Sequence, residues 1–147
     1  MTTVTADIVI ARPPEVVFSW LADLARHRQF MLDGWTEYRV TTPQSSSKGA
    51  RASFRARWGQ GEAITVEIAE VESPSRLALR STAGELALVW TLTRSGDSTR
   101  AALRAECAPS NDFLNRLLSP LVTSARLRAD TQQMVERLKA LCEGSER

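Results

Sequence analysis

The sequence predicts one α+β domain over residues 1–147, with a seven-stranded antiparallel sheet, two short helices after the first strand and a long C-terminal helix. Three observations support this fold class. A short alternating strand, residues 4–10, runs directly into a helix start at Pro13-Pro14. Alternating apolar residues then recur in hairpin succession as far as Cys107. Helix-capping residues at 110–112 then begin a helical pattern that continues to about Cys142.

Two adjacent prolines, Pro13 and Pro14, mark the change from strand to helix. Proline cannot donate a hydrogen bond to a β-ladder, and it fits the first turn of a helix. Glu15 lies in that first turn, where a carboxylate complements the helix dipole. Trp35 is expected to open the second strand, and the polar stretch 41–49 is expected to connect the second strand to the third.

The first predicted hairpin has a three-residue loop, 59–61. This loop pairs Phe54 with Val66 and keeps the apolar residues of both strands on one face. The same register pairs Ala56 with Ile64. A two-residue loop would instead bury charged side chains, so the three-residue loop is the prediction.

The final hairpin follows from the same test. A four-residue loop, 95–98, pairs Trp90 with Leu103 and again gives one apolar face. The same register pairs Leu88 with Ala105. Taken with the intervening strand, the inward-facing positions are Phe54, Ala56, Trp58, Ile64, Val66, Ile68, Leu77, Leu79, Leu86, Leu88, Trp90, Leu92, Ala101, Leu103, Ala105 and Cys107.

The start of the C-terminal helix has two interpretations. Either Pro120 kinks one long helix, or Ser119 caps a helix whose first turn contains Pro120. In both cases Leu121 and Ala125 continue one apolar stripe. A second stripe contains Leu127, Met134, Leu138 and Leu141. The apolar face of the sheet is the expected partner of this helix.

The composition excludes several classes of site. The net charge of +2 is small and the arginines are interspersed with acids, so nucleic-acid binding is not expected. One histidine and no closely spaced cysteines leave no metal motif, and no cofactor is expected. Cys107 and Cys142 fall on otherwise apolar positions and are expected to be buried free thiols, with a disulfide between them as the less favoured alternative. The sequence shows neither a secretory signal nor a membrane-spanning run, which predicts a cytoplasmic protein.

The order of these elements resembles the START-like (SRPBCC) superfamily, the helix-grip proteins that include polyketide cyclases, lipid carriers and plant pathogenesis-related allergens. The resemblance rests on the Pro13-Pro14 helix start, Asp23, Trp35, the turn at Pro74 and Trp90. It implies a curved antiparallel sheet that wraps around the long helix without closing fully against it. A cavity between the sheet and the helix is therefore expected.

This cavity is expected to bind or transport a small apolar molecule of the lipid, polyketide or isoprenoid kind. Apart from Cys107, the strand centres place no ionisable side chain on the inner face, so an enzyme is less expected than a carrier. The alternatives are an enzyme of the polyketide cyclase or dehydratase type and a protein–protein interaction module. No catalytic residue is assigned.

The expected ligand-binding residues come from the inner face of the sheet, the segment before the second strand and the C-terminal helix. They are Phe30, Trp35, Phe54, Ala56, Val66, Ile68, Leu79, Leu88, Trp90, Leu103, Ala105, Leu121 and Ala125. His27 is expected at the cavity rim, where it would donate a hydrogen bond. The flanking Arg26 and Arg28 are expected to lower its pKa and keep it neutral.

Overall fold

The computed structural model describes residues 2–27, 29–30, 35–56, 63–82, 86–107 and 120–144. Seven strands form one curved antiparallel sheet: β1 (Thr2–Ile10), β2 (Trp35–Val40), β3 (Arg51–Ala56), β4 (Ala63–Glu72), β5 (Arg76–Ser81), β6 (Leu86–Ser95) and β7 (Ser98–Cys107). Three helices are described: α1 (Pro14–Leu21), α2 (Leu24–His27) and α3 (Pro120–Gly144). The strand order is β1-β7-β6-β5-β4-β3-β2, so β1 pairs with the last strand. The predicted α+β helix-grip architecture is confirmed.

The change from β1 to α1 follows the two prolines as predicted. Pro13 is the N-cap residue, with an extended backbone at φ −69° and ψ 156°, and Pro14 begins the helix. Glu15 in the first turn forms an ion pair with Arg94 of β6. The buried face of α1, which includes Val17, packs into the core. The switch therefore turns the chain sharply and places α1 against the sheet.

The final hairpin has the predicted register. Trp90 pairs with Leu103, and Leu88 pairs with Ala105. The strands extend further than expected, because Ser95 and Ser98 still pair and only two residues form the turn. Gly96 occupies the first central position with φ +62°, as a type II′ turn requires.

The first hairpin has a different register from the predicted one. Phe54 pairs with Ile64 instead of Val66, and Val66 pairs with Ala52. The register of the three-residue loop is therefore wrong, and the loop residues themselves, 57–62, lie outside the described residues. A shift of two residues leaves every side chain on its predicted face, because strand side chains alternate with a period of two. The inward faces of β3 and β4 are consequently those that the alternation indicated.

Five of the described arginines on the outer face of the sheet form ion pairs. Arg51 lies opposite Glu67 in the observed register, and their side chains are 3.5 Å apart. The other pairs across or along the outer face are Arg55–Glu37, Arg76–Glu70, Arg100–Asp7 and Arg104–Glu106. All of these side chains are partly or largely exposed, so water screens each pair and its contribution to the stability of the fold is small.

The long helix α3 packs mainly against β1 and β7. Of the predicted second stripe, Leu127, Met134 and Leu138 are buried and Leu141 is partly buried against the core. Val135 and Cys142 are buried as well. Pro120 begins the described helix. Residues 108–119, which would be helical if Pro120 were a kink in one longer helix, lie outside the described residues.

Cys142 is a buried thiol outside any disulfide, as predicted, and burial raises its pKa to about 12. The side chain of Cys107 is not among those described. Among the described residues, no helix is long and apolar enough to cross a membrane.

The C-terminal end of α3 is anchored to the segment after β1. The carboxylate of Glu143 accepts hydrogen bonds from the backbone N–H of Ala11 at 2.9 Å and from Lys139 Nζ at 2.6 Å. Lys139 also donates to the carbonyl of Val9 at 2.8 Å. Both hydrogen bonds to its carboxylate hold the pKa of Glu143 below its usual range, and the hydrogen bond from Lys139 has the larger effect.

Replacing this anchor should weaken the fold modestly. We expect Glu143→Ala to lower the free energy of unfolding at pH 7 by about 0.5–1 kcal/mol, because the carboxylate is one-third exposed and water screens its interactions. Since the folded-state pKa is lowered, the difference from wild type should be present above the ordinary glutamate pKa and vanish as the pH falls through the folded-state value. Urea unfolding at several pH values measures it, and Glu136→Ala, an exposed glutamate on the same helix, is the control.

Candidate functional site

A small cavity lies between the inner face of the sheet and α3. Its wall is formed by residues of α2, of strands β2 to β6 and of α3, together with Phe30, which follows α2. They are His27, Phe30, Tyr38, Phe54, Val66, Leu79, Leu88, Trp90 and Met134. All of these side chains are buried. The space open to the centre of a water molecule is about 10 Å³, which is room for about one water.

Aromatic rings form much of the cavity wall. The rings of His27 and Phe30 lie 4.7 Å apart and are tilted, and Phe30 meets Trp90 edge to face at 6.2 Å. On another part of the wall, Tyr38 stacks on Phe54 at 6.3 Å. Both arrangements fall within the preferred geometries of aromatic pairs, which are attractive beyond simple burial of area. The wall therefore presents flat, rigid apolar surfaces to the cavity.

His27 is a buried, neutral member of this wall. Its side chain is 3% exposed, and its Nε2 donates a hydrogen bond to the carbonyl of Leu21 at 2.7 Å. A carbonyl can only accept, so the proton is on Nε2. Burial lowers the pKa of His27 to about 4, against the opposing effects of the Leu21 carbonyl and the Asp23 carboxylate. The imidazole is therefore uncharged at neutral pH.

The position of His27 differs from the expected rim. The sequence predicted an exposed mouth and a neutral ring held by Arg26 and Arg28, whereas the structure buries the ring, and desolvation is the cause of the low pKa. The donor nitrogen is already used by Leu21, so His27 has no N–H left for a ligand. The sequence around His27 is polar and therefore predicted an exposed loop. The side chain of His27 is buried by contacts that only the folded chain makes.

Three hydrogen bonds to backbone groups of the short helix α2 hold it in place. The carboxylate of Asp23 accepts a hydrogen bond from the N–H of Ala25 at 3.0 Å, as a cap or turn residue does. Leu24 donates its N–H to the carbonyl of Ser45, in the connection between β2 and β3, at 2.7 Å. The hydroxyl of Tyr38 donates to the carbonyl of Leu24 at 2.7 Å. Strand β2 and the polar connection thus fix the helix that carries His27.

Two wall residues were missing from the predicted site. Tyr38 is buried because the register of β2 shifts between Thr36 and Arg39, with Glu37 at φ +56°. Its alternation with Val40, which is only partly exposed, was the available signal. The sequence placed Met134 in the core stripe of the helix. Whether that position also borders the cavity depends on how α3 crosses the sheet, which the stripe alone does not show.

The structure brings together part of the predicted binding set. Phe30, Phe54, Val66, Leu79, Leu88 and Trp90 line the cavity. Ile68, Leu103 and Ala105 are buried on the same inner face but belong to the packed core rather than to the cavity wall. The side chains of Trp35, Ala56, Leu121 and Ala125 are not among those described.

A larger concavity of about 530 Å³ lies on the outer face of β4 to β7. Two of the arginines around it are paired, Arg76 with Glu70 at 3.0 Å and Arg104 with Glu106 at 2.8 Å. The charged side chains around this concavity are partly or largely exposed and most are neutralised in pairs. The inner cavity, with its wall of buried and mainly apolar side chains, is therefore the better candidate site. In the part of the chain that the structure describes, no group of three or more histidine, cysteine or acidic side chains is placed to hold a metal ion.

Solved structures share this fold at low sequence identity. The KanY protein, solved in solution, has a TM-score of 0.79 at 15% identity, with 97% of this chain and 98% of KanY covered. TTHA0849 from Thermus thermophilus has a TM-score of 0.77 at 19% identity, with 99% of each chain covered. DynU16, from the dynemicin biosynthetic locus, has a TM-score of 0.66 at 24% identity, with 97% of this chain but 48% of DynU16 covered. At these identities the likeness shows the fold.

A family model identifies the chain more directly. No curated protein matches the sequence. The model of the polyketide cyclase/dehydrase and lipid transport family matches residues 1–143, which is nearly the whole chain. This match agrees with the START-like resemblance of the sequence. The chain belongs to the polyketide cyclase/dehydrase and lipid transport family of the START-like superfamily.

Proposed function

We propose that this protein binds a small apolar molecule of the lipid, polyketide or isoprenoid kind in the cavity between the sheet and α3. The single observation that carries the proposal is a cavity whose wall consists mainly of buried aromatic and aliphatic side chains. Pockets of this composition are typical small-molecule sites. Membership of a family described by polyketide cyclisation and lipid transport supports the same function.

Binding requires the cavity to expand. The described side chains leave room for about one water, so a ligand of ring size must displace part of the wall. Met134 is the most adaptable member, since methionine is unbranched and has three rotatable side-chain bonds. The cost of this displacement reduces the apparent affinity. A single-ring probe should therefore bind with a Kd of about 0.1–1 mM, or roughly 4–5.5 kcal/mol.

A cyclase or dehydratase reaction is the second candidate, because the wall contains an imidazole and a phenol. Such a reaction needs a proton donor or acceptor whose pKa lies near the working pH. With a pKa of about 4, only about one His27 ring in a thousand is protonated at pH 7. The hydroxyl proton of Tyr38 is already donated to Leu24. These groups favour recognition over proton transfer.

A titration with toluene, followed in the methyl region of the NMR spectrum, tests binding. We expect methyl signals of Val66, Leu79, Leu88 and Met134 to shift in a saturable way. Methyls of Ile10 and Val17 serve as the internal control, because both side chains are fully buried and β1 and α1 contribute no residue to the cavity wall. Shifts confined to surface methyls, or none, would overturn the proposal. If the methyl signals of the wall do shift, native mass spectrometry of gently purified protein would show which molecule remains bound to the chain.

A further inference from the structure

We propose that the ligand of this cavity carries an O–H or N–H group, and that Nδ1 of His27 accepts its hydrogen bond. The inference rests on the proposed binding function and narrows the ligand to apolar molecules with a hydrogen-bond donor, phenols above all. It makes His27 the residue that determines specificity among apolar ligands of similar size.

The argument begins with the two ring nitrogens of His27. Nε2 carries the proton, because it donates to the carbonyl of Leu21 at 2.7 Å. In a neutral imidazole the other nitrogen then has a lone pair and no proton, so Nδ1 is an acceptor. Among the residues that the structure describes, none offers a donor to Nδ1. The side chain is only 3% exposed, so bulk water does not serve it either.

A buried acceptor without a partner is unfavourable and rare in folded proteins. His27 lines the cavity, and that cavity has room for about one water-sized group. A hydroxyl group has this size. The rest of the wall is apolar apart from Tyr38, whose hydroxyl proton is directed to the carbonyl of Leu24. A ligand hydroxyl is therefore the group that the acceptor, the space and the apolar surroundings fit together.

The same arrangement selects against other polar ligands. Neither polar side chain of the described wall has a proton to give, since both protons are held by backbone carbonyls. A ketone or carboxylate would leave its oxygen unpaired in an apolar wall, which is unfavourable. The cavity needs no additional contact to reject such molecules, because the unpaired oxygen of the ligand already weakens their binding.

Phenol and toluene form a matched pair of probes, because they differ only by a hydroxyl in place of a methyl. We expect His27→Phe to weaken phenol binding about three- to tenfold relative to toluene, which corresponds to the loss of one neutral hydrogen bond. His27→Gln keeps one donor and one acceptor on the side chain and should restore most of the phenol preference.

The wild-type protein provides a second readout that does not depend on the variants. The chain contains one histidine, so its ring ¹⁵N signals are unambiguous. Phenol should move the Nδ1 signal, while toluene should leave it nearly unchanged. Equal effects of the two probes on Nδ1, or an unchanged phenol-to-toluene ratio in His27→Phe, would overturn the inference while toluene binding still supports the cavity. Absence of binding by both probes would overturn the proposed function as well.

Discussion

Acidification from pH 7.5 to pH 5 should lower the free energy of unfolding by about 2 kcal/mol through His27 alone. In the unfolded chain the imidazole has its ordinary pKa of 6.5, whereas burial lowers the folded-state pKa to about 4. Between these two values the unfolded chain binds a proton that the folded protein does not. Stability is therefore unaffected above the unfolded-state pKa, falls as the pH decreases through 6.5, and levels off below the folded-state pKa.

The window between pH 5 and pH 7 isolates this group. The chain has one histidine, and ordinary aspartates and glutamates titrate at lower pH. His27→Gln is the matched control, because its neutral side chain keeps a donor for Leu21 but does not titrate. Urea unfolding of both proteins, followed by tryptophan fluorescence, gives the two pH profiles. Parallel profiles across this window would contradict the burial of a neutral imidazole.

Much of the fold was predictable because the side chains of a strand alternate with a period of two. The inward faces of β3 to β7 follow from that alternation, and so does the register of the last hairpin, although its turn has two residues instead of the predicted four. The hairpin of β3 and β4 shows the limit of the same signal. A slip of two residues, which pairs Phe54 with Ile64, preserves every face, so the apolar pattern cannot detect it.

The candidate site was predictable only in part, for a related reason. Alternation identifies which side chains face inward, but it does not say which of them meet α3 and which surround a cavity. Leu88 and Leu103 have equivalent patterns, yet only Leu88 lines the cavity. His27 and Tyr38 are buried by tertiary contacts, a backbone carbonyl for each and a register shift in β2. None of these has a local sequence signature.

Met134→Ala should loosen the fold and yet tighten the binding of toluene. Truncating a buried methionine costs about 2–5 kcal/mol of stability, through lost apolar contacts and the volume left behind. That volume adjoins the cavity, since Met134 lines it. A ligand no longer has to move the side chain from its packed rotamer, a cost of roughly 0.5–1.5 kcal/mol. Toluene affinity should therefore rise about three- to tenfold, measured by calorimetric or NMR titration.

Leu138→Ala is the matched control for this prediction. Leu138 lies one helical turn later on α3, is fully buried, and is not among the cavity-lining side chains. Its truncation should destabilise the fold by a similar amount, about 2–5 kcal/mol, without changing toluene affinity. An equal gain in both variants would mean that toluene enters a generally loosened core. A gain in toluene affinity in Met134→Ala alone would identify Met134 as the part of the wall that the ligand displaces. The two substitutions lie on the same helix and cost similar stability, but only Met134 lines the cavity.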